Sequence, residues 1–581
     1  MAELKVGKFT LDPAKCPAVL DTTTWDRAAA VAQVVSAGTG FWDRIAGAPG
    51  SAADPGLRPH GPGCMVHPGS HSCVRGEDIV LVSLPDGQDV LARFTAGGAS
   101  PLGRPLAAVA LSGGRKLAVH PTDMPVLQRY LQRGLPEKAP RALGSMPRLG
   151  IGDRHTVAVW PAAFRAMERG GFAANAIQNS LRELNLLDDL KQGIPPRENY
   201  LFSFGRIAEG HTGSTFEGLL HAGIIAALKA PTIPRYGADA DHIQVKRGPG
   251  GLARARQVVE ASRYYSFFTL DVSDVLDYGA LKTGGDPEAL SLLAAAVPDE
   301  ALRRDVLACH GRARTVAGRS YSFNEAEVGR FAGKYGNALG AVEALCAHLA
   351  ALKAGVPFDV ELSIDENPSD VPTADCTTTV EEMVFLSTEL QRRHLPVTHI
   401  APNFGVEKGT DYRGPDGREG LERRVRAISE IAEDRGLMLD CHSGDDLLPE
   451  TRRVFGRASR GRINFKISPQ LQIMFAETLA DVQNDLFRYW WNDVEAFVRE
   501  EATRGSPFAA ECLEELKGGV PPSPGARLFH AYCFVSVGRR EAGRFVNRER
   551  LYDLSERTRD EYGRRLEAWL AEIAEDLYGQ R

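Results

Sequence analysis

The chain has 581 residues, of which 43% are hydrophobic and 25% charged, as in globular proteins long enough for two or three domains. The 69 Lys and Arg residues against 75 Asp and Glu give a net charge of -6. Because there is also no long basic run, this charge argues against nucleic acid or an anionic membrane surface as a partner. No segment reaches the roughly eighteen apolar residues of a membrane-spanning helix.

The N-terminus and the cysteines suggest where the protein works. Residues 1–13 mix charged residues into the apolar ones and contain no apolar core of a signal peptide. Nine scattered cysteines in a chain of this size favour reduced thiols over a disulfide framework. We therefore expect a cytoplasmic protein.

Residues 1–145 differ in sequence pattern from the rest of the chain. Gly/Pro-rich stretches, such as 46–63, separate short β-like runs at 79–83 and 90–94. We predict a separate, partly β accessory domain here. A compact group of possible zinc ligands, Cys64, His67, His71 and Cys73, contains a Pro-Gly turn and has no second paired cluster, so we interpret it as a plain loop.

From about residue 150, short apolar runs alternate with helical stretches, which is typical of a parallel sheet. The candidate strands are 156–160, 200–205, 233–238, 266–270, 358–364, 397–401, 437–441 and 463–467. Eight such units predict an α/β fold, a (β/α)8 TIM-like barrel over 146–480, with a helical insertion near 274–357. Residues 481–581 are predicted to be helical at 485–499 and 548–577 and to brace the barrel or a homo-oligomer contact.

Functional side chains of such a barrel concentrate at the carboxyl ends of its strands. Here these ends carry two histidines and several carboxylates, a donor set that suits zinc, manganese, cobalt or nickel. The polar residues in question are Asp239, Asp241, His242, Glu361, Asp365, Glu366, Asn403, Glu407, Lys408, Asp440, His442, Asp445 and Lys466. The alternative interpretation of each position is a solvated strand end or a buried ion pair.

Strand parity refines this picture, because alternate residues share a face. Asp365 would face into the barrel, and Glu366 can join it only if the strand has already ended. Asp241 and His242 are adjacent, so both can serve one site only from a turn, which the preceding Gly237 would make easier.

Seven segments, in order along residues 150–480, resemble the bacterial tagaturonate epimerase family. They are GIGDR (150–154), ADADH (238–242), FFTLD (267–271), ELSIDE (361–366), APNFGVEKGTDY (401–412), HSGDD (442–446) and FKIS (465–468). The family interconverts tagaturonate and fructuronate with one divalent metal. Two positions depart from the family pattern: Asn403 stands where a basic residue is usual, and Lys466 to Pro469 replaces a fuller Lys-Thr-Ala-Gly-Thr.

The resemblance implies a role for individual residues. Asp241 would be the proton acceptor and Glu366 the proton donor, while His242, Glu407 and His442 would bind the metal. Lys408 and Lys466 are candidates for the substrate carboxylate, and Asn403, Asp153 and Arg154 are further candidates for substrate contacts.

The expected reaction is an inversion at carbon 4 of a keto-hexuronate, counting the ketone as carbon 2. Because a ketone acidifies only the neighbouring carbon, retro-aldol cleavage between carbons 3 and 4 followed by re-addition explains the inversion better than enolisation. Two alternatives remain open: a class II-type aldolase or isomerase on another keto-sugar or sugar acid, and a non-catalytic sugar-acid sensor. The expected partner is a small-molecule sugar-acid substrate.

Overall fold

The computed structural model describes residues 3–47, 63–201, 205–231, 235–367, 371–407, 409–442, 444–517, 519 and 521–579. Lys408, a predicted substrate-binding residue, lies outside the described residues. Within these ranges, no helix has both the length and the apolar character needed to cross a bilayer.

The N-terminal region contains a five-stranded antiparallel sheet. Its strands, in spatial order, are Met65–Val74, Glu77–Ser83, Asp89–Thr95, Lys116–His120 and Ala107–Ala110. The strands predicted at 79–83 and 90–94 are confirmed. The prediction of a plain loop from Cys64 to Cys73 is wrong. Most of this segment is an edge strand, because it pairs with Glu77–Ser83 in antiparallel register. Its histidines bind neighbouring side chains, His67 to Ser83 and His71 to Asp78.

Alternation along these strands divides the sheet between two apolar cores. Val80 and Val82 pack with Trp42 of the helix Thr39–Gly47. Ile79 and Leu81 belong instead to the large cluster that continues into the barrel. The N-terminal sheet is thus attached to the barrel through one of its faces.

Eight parallel strands close into a barrel, which confirms the predicted fold class. In chain order they are β1 (Arg148–Gly152), β2 (Ala173–Asn179), β3 (Tyr236–Gln244), β4 (Phe267–Asp271), β5 (Asp359–Ser363), β6 (His399–Ala401), β7 (Met438–Cys441) and β8 (Ile463–Ile467). Each strand pairs with the next, and β8 pairs with β1. β1 therefore lies opposite β5 and β3 opposite β7.

The first two predicted strands were wrong, whereas the other six overlap observed ones. Residues 156–160 begin the helix Thr156–Gly170, because a five-residue apolar run has no period that separates strand from helix. Residues 200–205 overlap a small antiparallel pair, Glu198–Leu201 with Gly205–Ala208, outside the barrel. The true β1 and β2 read RLGIG and AANAIQN, and their small and amide residues have low β propensity.

Helices surround the barrel and form the tail. Those of the barrel region are Thr156–Gly170, Leu187–Gln192, Phe216–Lys229, Gly251–Ala261, Thr373–Cys376, Val380–Arg392, Gly417–Asp434, Pro449–Ala458 and Pro469–Val482. The predicted insertion contains Asp286–Ala296, Glu300–Gly311 and Glu325–Lys353. The tail contains Asn484–Thr503, Pro507–Leu516, Arg527–Tyr532, Phe534–Val537, Arg548–Leu551 and Glu556–Tyr578.

The domain boundaries at 145 and 480 stay predictions. One apolar cluster contains Leu81 of the N-terminal sheet, Leu149 of β1 and Leu570 of the tail. The tail helix Glu556–Tyr578 packs against Thr156–Gly170, so the expected bracing of the barrel by the tail is observed.

An ion pair spans the amino-terminal end of the barrel. Arg148 of β1 is fully buried, and its Nη1 lies 3.1 Å from Oδ2 of Asp359 on the opposite strand β5. Asp359 also accepts hydrogen bonds from the backbone N–H groups of Leu143 and Gly144. Each partner compensates the charge of the other in a buried site.

We predict that Asp359→Asn lowers the free energy of unfolding by about 3–5 kcal/mol, because it leaves the Arg148 charge buried and uncompensated. The matched control is Glu433→Gln, which breaks the exposed pair with Arg460 and should cost less than about 1 kcal/mol. Urea unfolding of both variants measures the difference. Equal losses in the two variants would contradict this account.

Candidate functional site

A cavity of about 540 Å³ opens where the barrel strands end. Residues of β2, β3 and β8 line its base, among them Asp241, His242 and Lys466, together with His442, which follows directly after β7. Its outer wall is formed by the tail, including Phe508 and residues of the helix Arg527–Tyr532. Such a concave site at the carboxyl ends of the strands is where barrel enzymes bind their ligands.

A β-bulge brings Asp241 and His242 to the same cavity. Between Ala240 and Ile243, β3 advances by one residue more than its partner β4. His242 takes the left-handed conformation there, with φ of 42°, which is uncommon for a residue other than glycine. The expected turn is therefore a bulge within the strand.

His242 and His442 meet across the mouth of the barrel. They come from the opposite strands β3 and β7, and their ring centroids are 4.7 Å apart at an interplanar angle of 82°. Nδ1 of His242 lies 3.1 Å from Oδ2 of Asp271, and Nε2 of His442 lies 2.7 Å from Oε1 of Glu361. Each ring is thus held in its orientation by its own buried carboxylate, which contacts one of the two ring nitrogens.

The other nitrogen of each ring faces further carboxylates. Nε2 of His242 lies 3.6 Å from Oε1 of Glu366 and 4.0 Å from Oδ2 of Asp241. Nδ1 of His442 lies 3.0 Å from Oδ2 of Asp365, but not in hydrogen-bond geometry, so this buried nitrogen has no hydrogen-bond partner within the part of the chain that the structure describes. Glu366 follows the end of β5 at Ser363, as strand parity required.

The carboxylates favour positive charge on both rings. Burial lowers the pKa of His442, but the Asp365 and Glu361 carboxylates outweigh burial and raise this pKa to about 10. For His242, burial likewise lowers the pKa, and Asp241 and Asp271 raise it overall. Imidazole nitrogens and carboxylates are ligands that suit a borderline divalent cation, but among the described residues no group of three or more His, Cys, Asp or Glu side chains is arranged to hold a metal ion.

Lys466 lies beneath this pair and is almost completely buried. Its Nζ contacts Asp239 at 3.1 Å, Asp241 at 2.8 Å and Glu361 at 2.9 Å, and it donates to Oγ1 of Thr269 at 2.6 Å. Since protein carboxylates already surround this ammonium, the arrangement does not favour its predicted role in binding the substrate carboxylate. Burial raises the pKa of Asp241, but Lys466 and the two histidines lower it overall, so Asp241 is ionised at neutral pH.

Three other predicted residues are not brought to the cavity. Asp153 is fully buried and accepts a hydrogen bond from Nε1 of Trp160. Asn403 is buried and donates to the backbone oxygen of Asp365 at 2.7 Å, so it positions the loop after β5. Glu407 is exposed and has no hydrogen bond or ion pair with a described residue. Its role as a metal ligand therefore stays a prediction.

Arg154 does line the cavity, together with residues that the sequence analysis missed. They are Gln178, Arg182, Glu183, His211 and Gln472, with Arg527 and His530 from the tail. Arg182 donates to Oε1 of Glu366 at 2.9 Å and so holds this carboxylate beside His242. The polar run from Gln178 to Glu183 at the end of β2 could have indicated most of this wall, had β2 been placed correctly.

Comparisons with known proteins identify the family of this chain and proteins of the same fold. A family model described as tagaturonate epimerase matches residues 208–504, slightly more than half of the chain. Two crystal structures of fructuronate-tagaturonate epimerase UxaE from Cohnella laeviribosi, with one and two glycerol molecules, superpose with TM-scores of 0.62 and 0.63 at 20% sequence identity. They cover 89% of this chain, and 96% and 97% of their own chains. The comparison with curated proteins found no match. At 20% identity these superpositions show the shared fold, and the family model adds the family: the chain belongs to the tagaturonate epimerase family.

Proposed function

We propose that this protein interconverts tagaturonate and fructuronate with the help of one divalent cation. Family membership makes it an enzyme acting on carbohydrates. The observation that carries the finer proposal is the His242–His442 pair, whose rings lie 4.7 Å apart, each fixed by a buried carboxylate through one nitrogen and facing further carboxylates with the other. A cavity of about 540 Å³ above the pair has room for a six-carbon sugar acid.

In this proposal Nε2 of His242, Nδ1 of His442 and the carboxylate of Glu407 bind the cation. Zinc, manganese, cobalt and nickel all suit such ligands. When bound, the cation acts as a Lewis acid that polarises the ketone of the substrate. Asp271 and Glu361 support the histidines by fixing ring orientation, which is the usual contribution of outer carboxylates at such sites.

The protein's own carboxylates move the protons. Asp241, ionised and held by Lys466 at 2.8 Å, accepts the proton of the carbon 4 hydroxyl while the bond between carbons 3 and 4 breaks. The products are an aldehyde at carbon 4 and an enediolate over carbons 2 and 3. After the aldehyde rotates, the same bond forms on its other face, and Glu366, which carries a proton before turnover, donates it to the new carbon 4 oxygen. The proton that Asp241 took up then passes to Glu366, which restores both carboxyl groups to their starting states. Asp241 and Glu366 both lie within 4.0 Å of Nε2 of His242, so acceptor and donor flank one site.

We expect chelator treatment to abolish the interconversion and added metal to restore it. His242→Gln and His442→Gln should each lower kcat/KM by about a hundredfold or more and reduce metal bound per chain, because each removes a ligand. Coupled assays on tagaturonate and fructuronate, with elemental analysis, measure both effects. The control is His348→Gln, which removes a surface imidazole paired with Glu260 and should leave both values unchanged. Full activity after complete metal removal would refute the proposal.

The third ligand can be tested separately. We expect Glu407→Gln to weaken metal affinity at least about tenfold, because it replaces the proposed carboxylate ligand with an amide. Asp365→Asn is the comparison, since Asp365 already lies 3.0 Å from Nδ1 of His442 and is the carboxylate that could replace Glu407. Metal titration of both variants decides between them. If Asp365→Asn empties the site and Glu407→Gln does not, Asp365 is the ligand.

A further inference from the structure

One side of the cavity carries Arg154, in the loop after β1. The side chain is 11% exposed, and each nitrogen of its guanidinium contacts a different element. Nε donates to Oγ of Ser468 at 2.7 Å, Nη1 to Nε2 of His211 at 3.1 Å, and Nη2 lies 3.1 Å from Oε1 of Glu183. A guanidinium has more N–H donors than these described partners accept. Arg154 is therefore held in place with donor capacity left for a ligand.

His211 adds a buried donor next to Arg154. Its Nε2 accepts from Arg154, so a neutral ring carries its proton on Nδ1. Burial lowers the pKa of His211, which keeps the ring neutral at neutral pH. The residue is 7% exposed, and Nδ1 has no hydrogen-bond partner among the described residues. An N–H group buried without an acceptor is costly unless a ligand completes it.

Gln472 supplies a second donor of this kind. It lies in the first turns of the helix Pro469–Val482, four residues after Ser468, which places the two residues on one side of the helix. Gln472 is 3% exposed, lines the cavity, and has a buried Nε2 without a partner among the described residues. Ser468 is the residue that Arg154 binds, so Gln472 and Arg154 share this wall.

We propose that Arg154, His211 and Gln472 bind the carboxylate of the sugar acid. The proposal rests on the proposed function, which places the ketone end of the substrate at the histidine pair. The carboxylate, at carbon 6, is at the other end of the molecule and is an acceptor-only group. It matches a wall that offers a guanidinium and two unpartnered N–H donors. Glu183 takes up only part of this donor set: its Oε1 lies 3.1 Å from Nη2 of Arg154 and 3.6 Å from Nε2 of His211, while the backbone N–H and hydroxyl of Ser180 bind its Oε2. Nδ1 of His211 and Nε2 of Gln472 are left for the ligand.

The test compares sugars that differ in the carboxylate. Fructuronate and fructose are titrated calorimetrically into the wild-type enzyme and into Gln472→Leu. We expect the variant to bind fructuronate about tenfold more weakly, the loss of one hydrogen bond to a charged group, and to bind fructose unchanged. Gln472→Glu, of the same shape, should weaken fructuronate binding further by repelling the carboxylate. The matched control is Gln470→Leu, on the same helix but outside the cavity lining, which should change neither affinity.

Several outcomes would overturn the assignment. The wild-type enzyme could bind the two sugars with equal affinity. Alternatively, Gln472→Leu could weaken the binding of both sugars equally, or weaken the binding of neither. Inorganic phosphate binding more tightly than fructuronate would indicate a site for any anion instead. Failure of the proposed function is distinguishable, because it shows as tight, Gln472-dependent binding of fructuronate without interconversion by the wild-type enzyme.

Discussion

The buried ammonium of Lys466 is the interaction on which the site depends. It contacts carboxylates of two other strands, Asp239 and Asp241 of β3 and Glu361 of β5. Without this charge, three carboxylates within the barrel would repel one another in a place where water cannot screen them. With it, Glu361 stays ionised and can fix His442. The side chain needs space, which explains Gly150 of β1: a Cβ there would lie 2.8 Å from Cγ of Lys466.

From this base, the orientation of the two histidines follows. Each ring binds a buried carboxylate through one nitrogen, so the other nitrogen has a fixed direction. For His242 this requires a strained backbone, with φ of 42°, and such strain persists only where surrounding contacts over-determine it. Asp271 provides one such contact. In return, the bulge lets two consecutive residues, Asp241 and His242, reach one cavity, which a regular strand forbids.

The sequence predicted the later barrel strands and the residues at their ends far better than the first two strands. Apolar and polar residues alternate along β5 (DVELS) and β8 (INFKI), and this alternation is visible in the sequence. β1 (RLGIG) and β2 (AANAIQN) contain many Gly, Ala, Asn and Gln residues. In β1, Gly150 is needed because the strand approaches Lys466 and Gln178 closely, as the short distances from a Cβ at this position show. The tail wall was missed for another reason: helix periodicity indicates an apolar face but not the surface against which it docks.

The tail matters to the proposed chemistry, because cleavage of a carbon–carbon bond gives an aldolase unless both fragments stay in place. After cleavage the aldehyde fragment must rotate without leaving, so it needs a fixed end and a closed surround. In the proposed binding mode, the wall with Arg154 and Gln472 provides the fixed end by binding the carboxylate. Ile473 of the helix Pro469–Val482, with Phe508 and Phe534 of the tail, adds apolar surface to the cavity lining, which in the proposed reaction limits the access of water to the aldehyde. In the proposed reaction the barrel therefore supplies the chemistry, and retention of the fragment by the outer wall turns cleavage into epimerisation.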